Sequence, residues 1–100
     1  MSAVCFHAQQ AVEKYIKALL TELAIGFPRV HDIGDLLERV PDAVRPQIEP
    51  VAQEKLTYYA VASRYPGDAW VTHEDAETAV AAAREVRAAI VTHLSPAARI

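Results

Sequence analysis

Cysteine is almost missing from this sequence: Cys5 stands alone among 100 residues. One thiol cannot close an internal disulfide, so the chain suits a reducing compartment. Cys5 lies among Val4, Phe6 and Ala8 and reads as a buried structural thiol. Glycine is scarce as well. Gly26, Gly34 and Gly67 are too dispersed to form a loop that cradles phosphate. No Cys/His spacing matches a metal site, so neither metal nor cofactor is expected. Ser2, Ser63 and Ser95 have no nucleophile elbow around them. No run approaches the ~20 consecutive apolar residues of a membrane span. The N-terminus lacks the basic and apolar regions of a signal peptide. A soluble, cytoplasmic protein with no membrane partner is the expectation. The formal net charge of −3 gives no global attraction to nucleic acid or to anionic lipid. Any RNA contact must come from a local basic cluster.

What the chain does have is alanine and helical periodicity. Apolar residues make up 52% and charged residues 23%, close to the globular average, which argues against disorder. At this length the chain forms one domain, residues 1–100, with little stability to spare. A first helix is predicted over Ser2–Ile25, with Cys5, Ala8, Val12, Tyr15, Leu19 and Leu23 at steps of three and four. Phe6, Ile16 and Leu20 widen that stripe, and Gly26 supplies the left-handed stop. A short second helix spans Asp32–Val40, capped by Asp32 and ended by Pro41. A third begins at Pro46 or Pro50 and runs to about Arg64, with Val51, Leu56, Tyr59 or Ala60, and Val61 facing inward. Pro66-Gly67 marks a turn. The last helix covers His73–His93 behind a Thr72 cap, with a stripe of Ala76, Ala79, Val80, Ala83, Val86 and Ile90. The fold class is all-α, a thin helical bundle. An uncovered apolar face on the first helix would be buried by a second copy in a two-fold dimer.

Three groups of residues can carry chemistry. Gln10, Lys14 and Lys17, with His7 one step back, share a side of the first helix. They suit phosphate or a partner's carboxylates, or they form a solvated face on which Glu13 pairs with Lys17. His31 beside Asp32 is an oriented base, or a packed imidazole next to a cap. The densest group is Tyr58, Tyr59, Arg64, Tyr65, Pro66, Gly67, Asp68, Trp70 and His73. Arginine and aromatics are enriched in binding hot spots. An arginine with a histidine can also support metal-free RNA cleavage, the histidine as acid or base and the arginine stabilising charge. The bland alternative is a helix end and a tight turn packed on the core.

Two stretches together resemble the HEPN family. Phe6-His7-Ala8-Gln9-Gln10-Ala11-Val12-Glu13-Lys14-Tyr15-Ile16-Lys17-Ala18-Leu19-Leu20 looks like the family's FHxQQAxEKxxKALL helix. Leu56-Thr57-Tyr58-Tyr59-Ala60-Val61, then Arg64-Tyr65-Pro66-Gly67, looks like its LTxYAVxxRYPG segment. Between them, His31-Asp32-Ile33 with Leu36-Leu37 sits where the family reads THDLxxLL, Val30 replacing the threonine. The resemblance implies an antiparallel up-and-down bundle, usually dimeric, often partnered by a minimal nucleotidyltransferase in toxin–antitoxin-like pairs. Family bundles begin with a helix before the FHxQQ helix. Either that helix lies outside this start, or the bundle has three long helices.

Some members are metal-independent ribonucleases with a composite site at the dimer interface, and others bind nucleotides or serve as partners. The ribonucleases carry arginine, four to six further residues, then histidine. Here eight residues separate Arg64 from His73, and Pro66-Gly67 interrupts the helix that would align them. The resemblance therefore implies an interaction or nucleotide-binding module, with Gln10, Lys14, Lys17, Arg64 and Tyr65 as contact residues. The alternative is a ribonuclease toxin using Arg64 with His73 or His31. A third reading is a relic domain kept for assembly alone.

Overall fold

The first helix, α1, spans Ser2–Glu22, and every other helix packs on it. The computed structural model describes residues 2–30, 32–62 and 73–94. Three further helices follow: α2 over Ile33–Glu38, α3 over Pro50–Ala62 and α4 over His73–Val91. A 3-10 turn at Asp42–Val44 links α2 to α3. The described residues contain no strand, and the all-α expectation holds.

The core follows the helical periodicity of α1. Cys5, Ala8, Val12, Ile16, Leu19 and Leu20 are buried there. Ile33, Leu36, Leu37 and Val40 come in from α2 and its end, Leu56 from α3, and Ala76, Ala79, Val86 and Ile90 from α4. Alanine on α4 keeps the side-chain layer thin, and α1 and α4 share the most extensive contact. Arg87 Nε donates to the Tyr15 hydroxyl at 3.1 Å, while Val4 shares a recess with His73 and Ala76. These two contacts fix the register and show that α4 runs alongside α1 in the same direction.

α1 stops three residues short of the predicted Ile25, and not at Gly26. Ala24 takes the left-handed conformation, with φ of 58°. Its N–H bonds Thr21 O at 3.0 Å and the Ile25 N–H bonds Leu20 O at 2.8 Å. This is the Schellman arrangement, completed by half-buried Ile25 packing on the core that contains Leu20. Leu23, expected on the inner stripe, is largely exposed because it sits in this terminal turn.

Asp32 caps α2 as predicted, its Oδ1 accepting from the Asp35 N–H at 2.8 Å. The helix ends two residues before Val40. Pro41 disfavours helical geometry in the residue before it, and Arg45 takes over the exposed carbonyls. Its guanidinium donates to Val40 O at 3.0 and 2.8 Å and to Glu38 O at 3.3 Å. It also pairs with Asp42 at 2.8 Å.

α3 starts at Pro50, the later of the two predicted positions. Thr57 ties it to α2 by accepting the Ile33 N–H at 3.0 Å. A Cβ on Gly34 would stand 3.0 Å from Gln53 Oε1, the end of a flexible side chain that would have to shift by a few tenths of an ångström. Val51 corrects a prediction: it is 62% exposed. It lies five residues before Leu56, about 140° round the helix, so the two cannot share an inner face. Tyr59 or Ala60, and Val61, were also expected inside; these side chains lie outside the described residues. So do the Thr72 cap and the Pro66-Gly67 turn.

Candidate functional site

α1 carries a line of polar side chains at four-residue steps. Gln9 Nε2 donates to Glu13 Oε2 at 2.8 Å, and Lys17 Nζ donates to Glu13 Oε1 at 2.7 Å. Gln9 is completely buried, at 0% exposure, and Glu13 nearly so, at 7%. A buried carboxylate is tolerated when hydrogen bonds and a cation offset its lost hydration. Gln9 supplies a bond and Lys17 supplies the charge. Lys17 also lies over the Phe27 ring, 5.8 Å from its centre. Among the described residues the buried Gln9 Oε1 atom has no hydrogen-bond partner. Such orphans are rare in folded proteins and mark positions kept for a specific reason.

This line changes the reading of the first candidate group. Gln10, Lys14 and Lys17 were expected to present one surface together. Lys14 is exposed and Gln10 half-buried, but Lys17 is turned onto Glu13 and Phe27. His7 is exposed, tilted against Phe6 with ring centres 5.7 Å apart. The predicted Glu13–Lys17 pair is present. The residues that sequence reasoning missed are Gln9 and the burial of Glu13. Their signal was available, because Gln9, Glu13 and Lys17 are spaced by four and share a face with buried Ile16 and Leu20.

His73 is the first residue of α4. Its Nε2 lies 2.9 Å from Glu77 Oε1, with both side chains largely exposed. The imidazole is thus oriented by its own helix, on the surface. His31, Arg64 and Tyr65 lie outside the described residues, as do Asp68 and Trp70.

Other features frame the site. A recess of about 600 Å³ runs between the chain before α3 and the flank of α4. Glu49 and Glu85 line it, and none of the candidate residues does. Among the described residues no three His, Cys, Asp or Glu side chains converge as a metal site. No described helix is long and apolar enough to cross a membrane. Burial, with help from the Asp75 carboxylate, pushes the Cys5 thiol above its ordinary range, so it is held as an inert thiol and not as a thiolate nucleophile.

Neither the curated proteins nor the solved structures give a match to this chain. The family models do: that of the HEPN domain matches residues 1–94. That span takes in the α1 polar line and the four described helices, so the chain belongs to the HEPN family.

Proposed function

We infer that this protein is a HEPN-type interaction module, a homodimer that pairs with a minimal nucleotidyltransferase in a toxin–antitoxin-like unit and binds nucleotide through Lys14, Gln10, Arg64 and Tyr65. The observation that carries this reading over RNA cleavage is the placement of His73. It sits exposed on the first turn of α4, engaged by Glu77 of the same helix at 2.9 Å. A general acid or base must reach a reacting atom while being held by surrounding groups. Among the described residues only the exposed Glu77 of the same helix holds His73, and both side chains stand in solvent instead of lining a site. The separation of Arg64 and His73 in the chain points the same way. On α1, Lys17 serves the fold through Glu13, which leaves Lys14 as the cation free to meet a ligand.

The test is an RNA-cleavage assay in chelator, run on wild type and Arg64→Ala. Dimer state is checked by light scattering, and nucleotide binding is measured by calorimetry on the same preparations. Intact RNA with saturable nucleotide binding, weakened by Lys14→Met, supports the module. Cleavage by wild type and not by Arg64→Ala overturns it in favour of the ribonuclease.

A further inference from the structure

The flank of α4 turned away from α3 is charged in a self-complementary way. His73, Glu77, Val80 and Arg84 follow one another at steps of four, three and four, so they form one seam along the helix. The seam borders an open recess of about 350 Å³ whose lining also includes Val4 of α1 and Ala81. Val4 is a large apolar side chain left exposed. Arg84 has no hydrogen bond or ion pair among the described residues. Glu77 lies seven residues before it, about 10 Å along the axis, so the two cannot pair within one chain.

We propose that a second copy of the chain packs on this seam, its α4 antiparallel to the first about a two-fold axis beside Val80 and Ala81. The occupant follows from the charges. In an antiparallel pair centred between residues 80 and 81, each Glu77 faces the other copy's Arg84, giving two cross-pairs. Val80 of each copy then meets Ala81 of the other, on either side of the axis. The small alanine lets the helices approach, and Val4 adds apolar surface at the edge. A parallel pairing would set glutamate against glutamate and arginine against arginine, and like charges opposed across an interface are strongly unfavourable. The same surface is therefore attractive to itself in one orientation only. This proposal rests on the reading of the chain as a self-associating module and adds the surface that does it.

Sedimentation velocity on the full chain tests it, with circular dichroism confirming helicity. Glu77→Arg and Arg84→Glu should each weaken the dimer by about tenfold or more, because each sets four like charges at the seam. An equimolar mixture of the two variants should form a heterodimer within about threefold of wild-type affinity, since every facing pair is then opposite in sign. Glu85→Arg, on another flank of α4, should leave association unchanged. A wild-type chain that stays monomeric up to about 100 µM overturns the proposal. A wild-type dimer indifferent to both seam variants overturns the seam while leaving dimerisation standing. A monomer would also remove the homodimer from the proposed function, whereas an indifferent dimer removes the seam alone; nucleotide binding and RNA cleavage are read separately in either case.

Discussion

Gln9 and Glu13 are joined by a hydrogen bond of 2.8 Å inside the core, one helical turn apart on α1. The bond places a carboxylate where water has little access, and Lys17 at 2.7 Å supplies the opposing charge. Lys14, one residue further on, is exposed. The two lysines should therefore behave differently. Lys17→Met should destabilise the fold by about 2 kcal/mol, because it removes a cation bonded to a buried carboxylate. Lys14→Met should stay within about 0.5 kcal/mol of wild type, as surface changes usually do. Urea denaturation of both variants checks this, and equal costs would show that the α1 polar line is no structural element.

The end of α1 offers a second test. Ala24 holds a left-handed conformation that an L-residue with a Cβ resists. Ala24→Gly should stabilise the protein by about 1 kcal/mol. Gly26 is not left-handed, and a Cβ there would meet nothing within 4 Å. Gly26→Ala should thus be stabilising by about 0.5 kcal/mol through the unfolded chain's reduced freedom. Thermal melts that rank the two variants in the reverse order would return the helix stop to Gly26.

The Ala24 result shows where sequence reasoning is strong and where it fails. Periodicity located the four described helices, and it named Cys5, Val12, Leu36, Leu56, Val86 and Ile90 as core because burial imposes that spacing. It misplaced the α1 stop because a glycine near a helix end is the usual signal, and only backbone geometry shows that an alanine two residues earlier took the role. Val51 was misplaced although its five-residue step to Leu56, about 140° round the helix, already puts the two on different faces. The candidate site was legible in part. Gln9, Glu13 and Lys17 belong to the stretch that resembles the family's first helix. Polarity suggested a wet surface, and the packing of α1 against its neighbours put two of the three in the core.

Arg45 provides a third prediction. It spans the end of α2, donating to two backbone carbonyls and pairing with Asp42. The carbonyls at a helix end have no partner within the helix, and hydrogen bonds from a charged donor are stronger than neutral ones. Arg45→Ala should cost about 1–2 kcal/mol. Arg45→Lys should recover less than half of that, since an ammonium cannot reproduce the planar fork. Asp42→Ala should cost under about 0.5 kcal/mol, because its carboxylate is open to solvent. Chemical denaturation of the three variants separates capping from the ion pair, and an Asp42→Ala cost matching that of Arg45→Ala would assign the stabilisation to the pair.

The last prediction concerns Cys5, whose thiol is pushed above its ordinary range by burial and then by Asp75. The folded chain consequently holds this proton to higher pH than the unfolded chain does. Below about pH 8.5 both states keep it, and the full stability is present. As pH rises further the unfolded chain releases the proton first. The folded state then binds more protons than the unfolded one, and stability falls with a slope of up to about 1.4 kcal/mol per pH unit. The slope vanishes once pH passes the raised folded value. Cys5→Ala removes this component while leaving the tyrosine and lysine titrations common to both proteins. The difference between wild type and Cys5→Ala in urea-unfolding free energy should therefore shrink from pH 8 to pH 10. Iodoacetamide should label Cys5 slowly in the folded protein and rapidly in urea, because the thiolate is the reacting species. Fast labelling of the folded chain, with a pH-independent difference between the two proteins, would mean that the thiol is open to solvent and that the core around the start of α1 is looser than its burial implies.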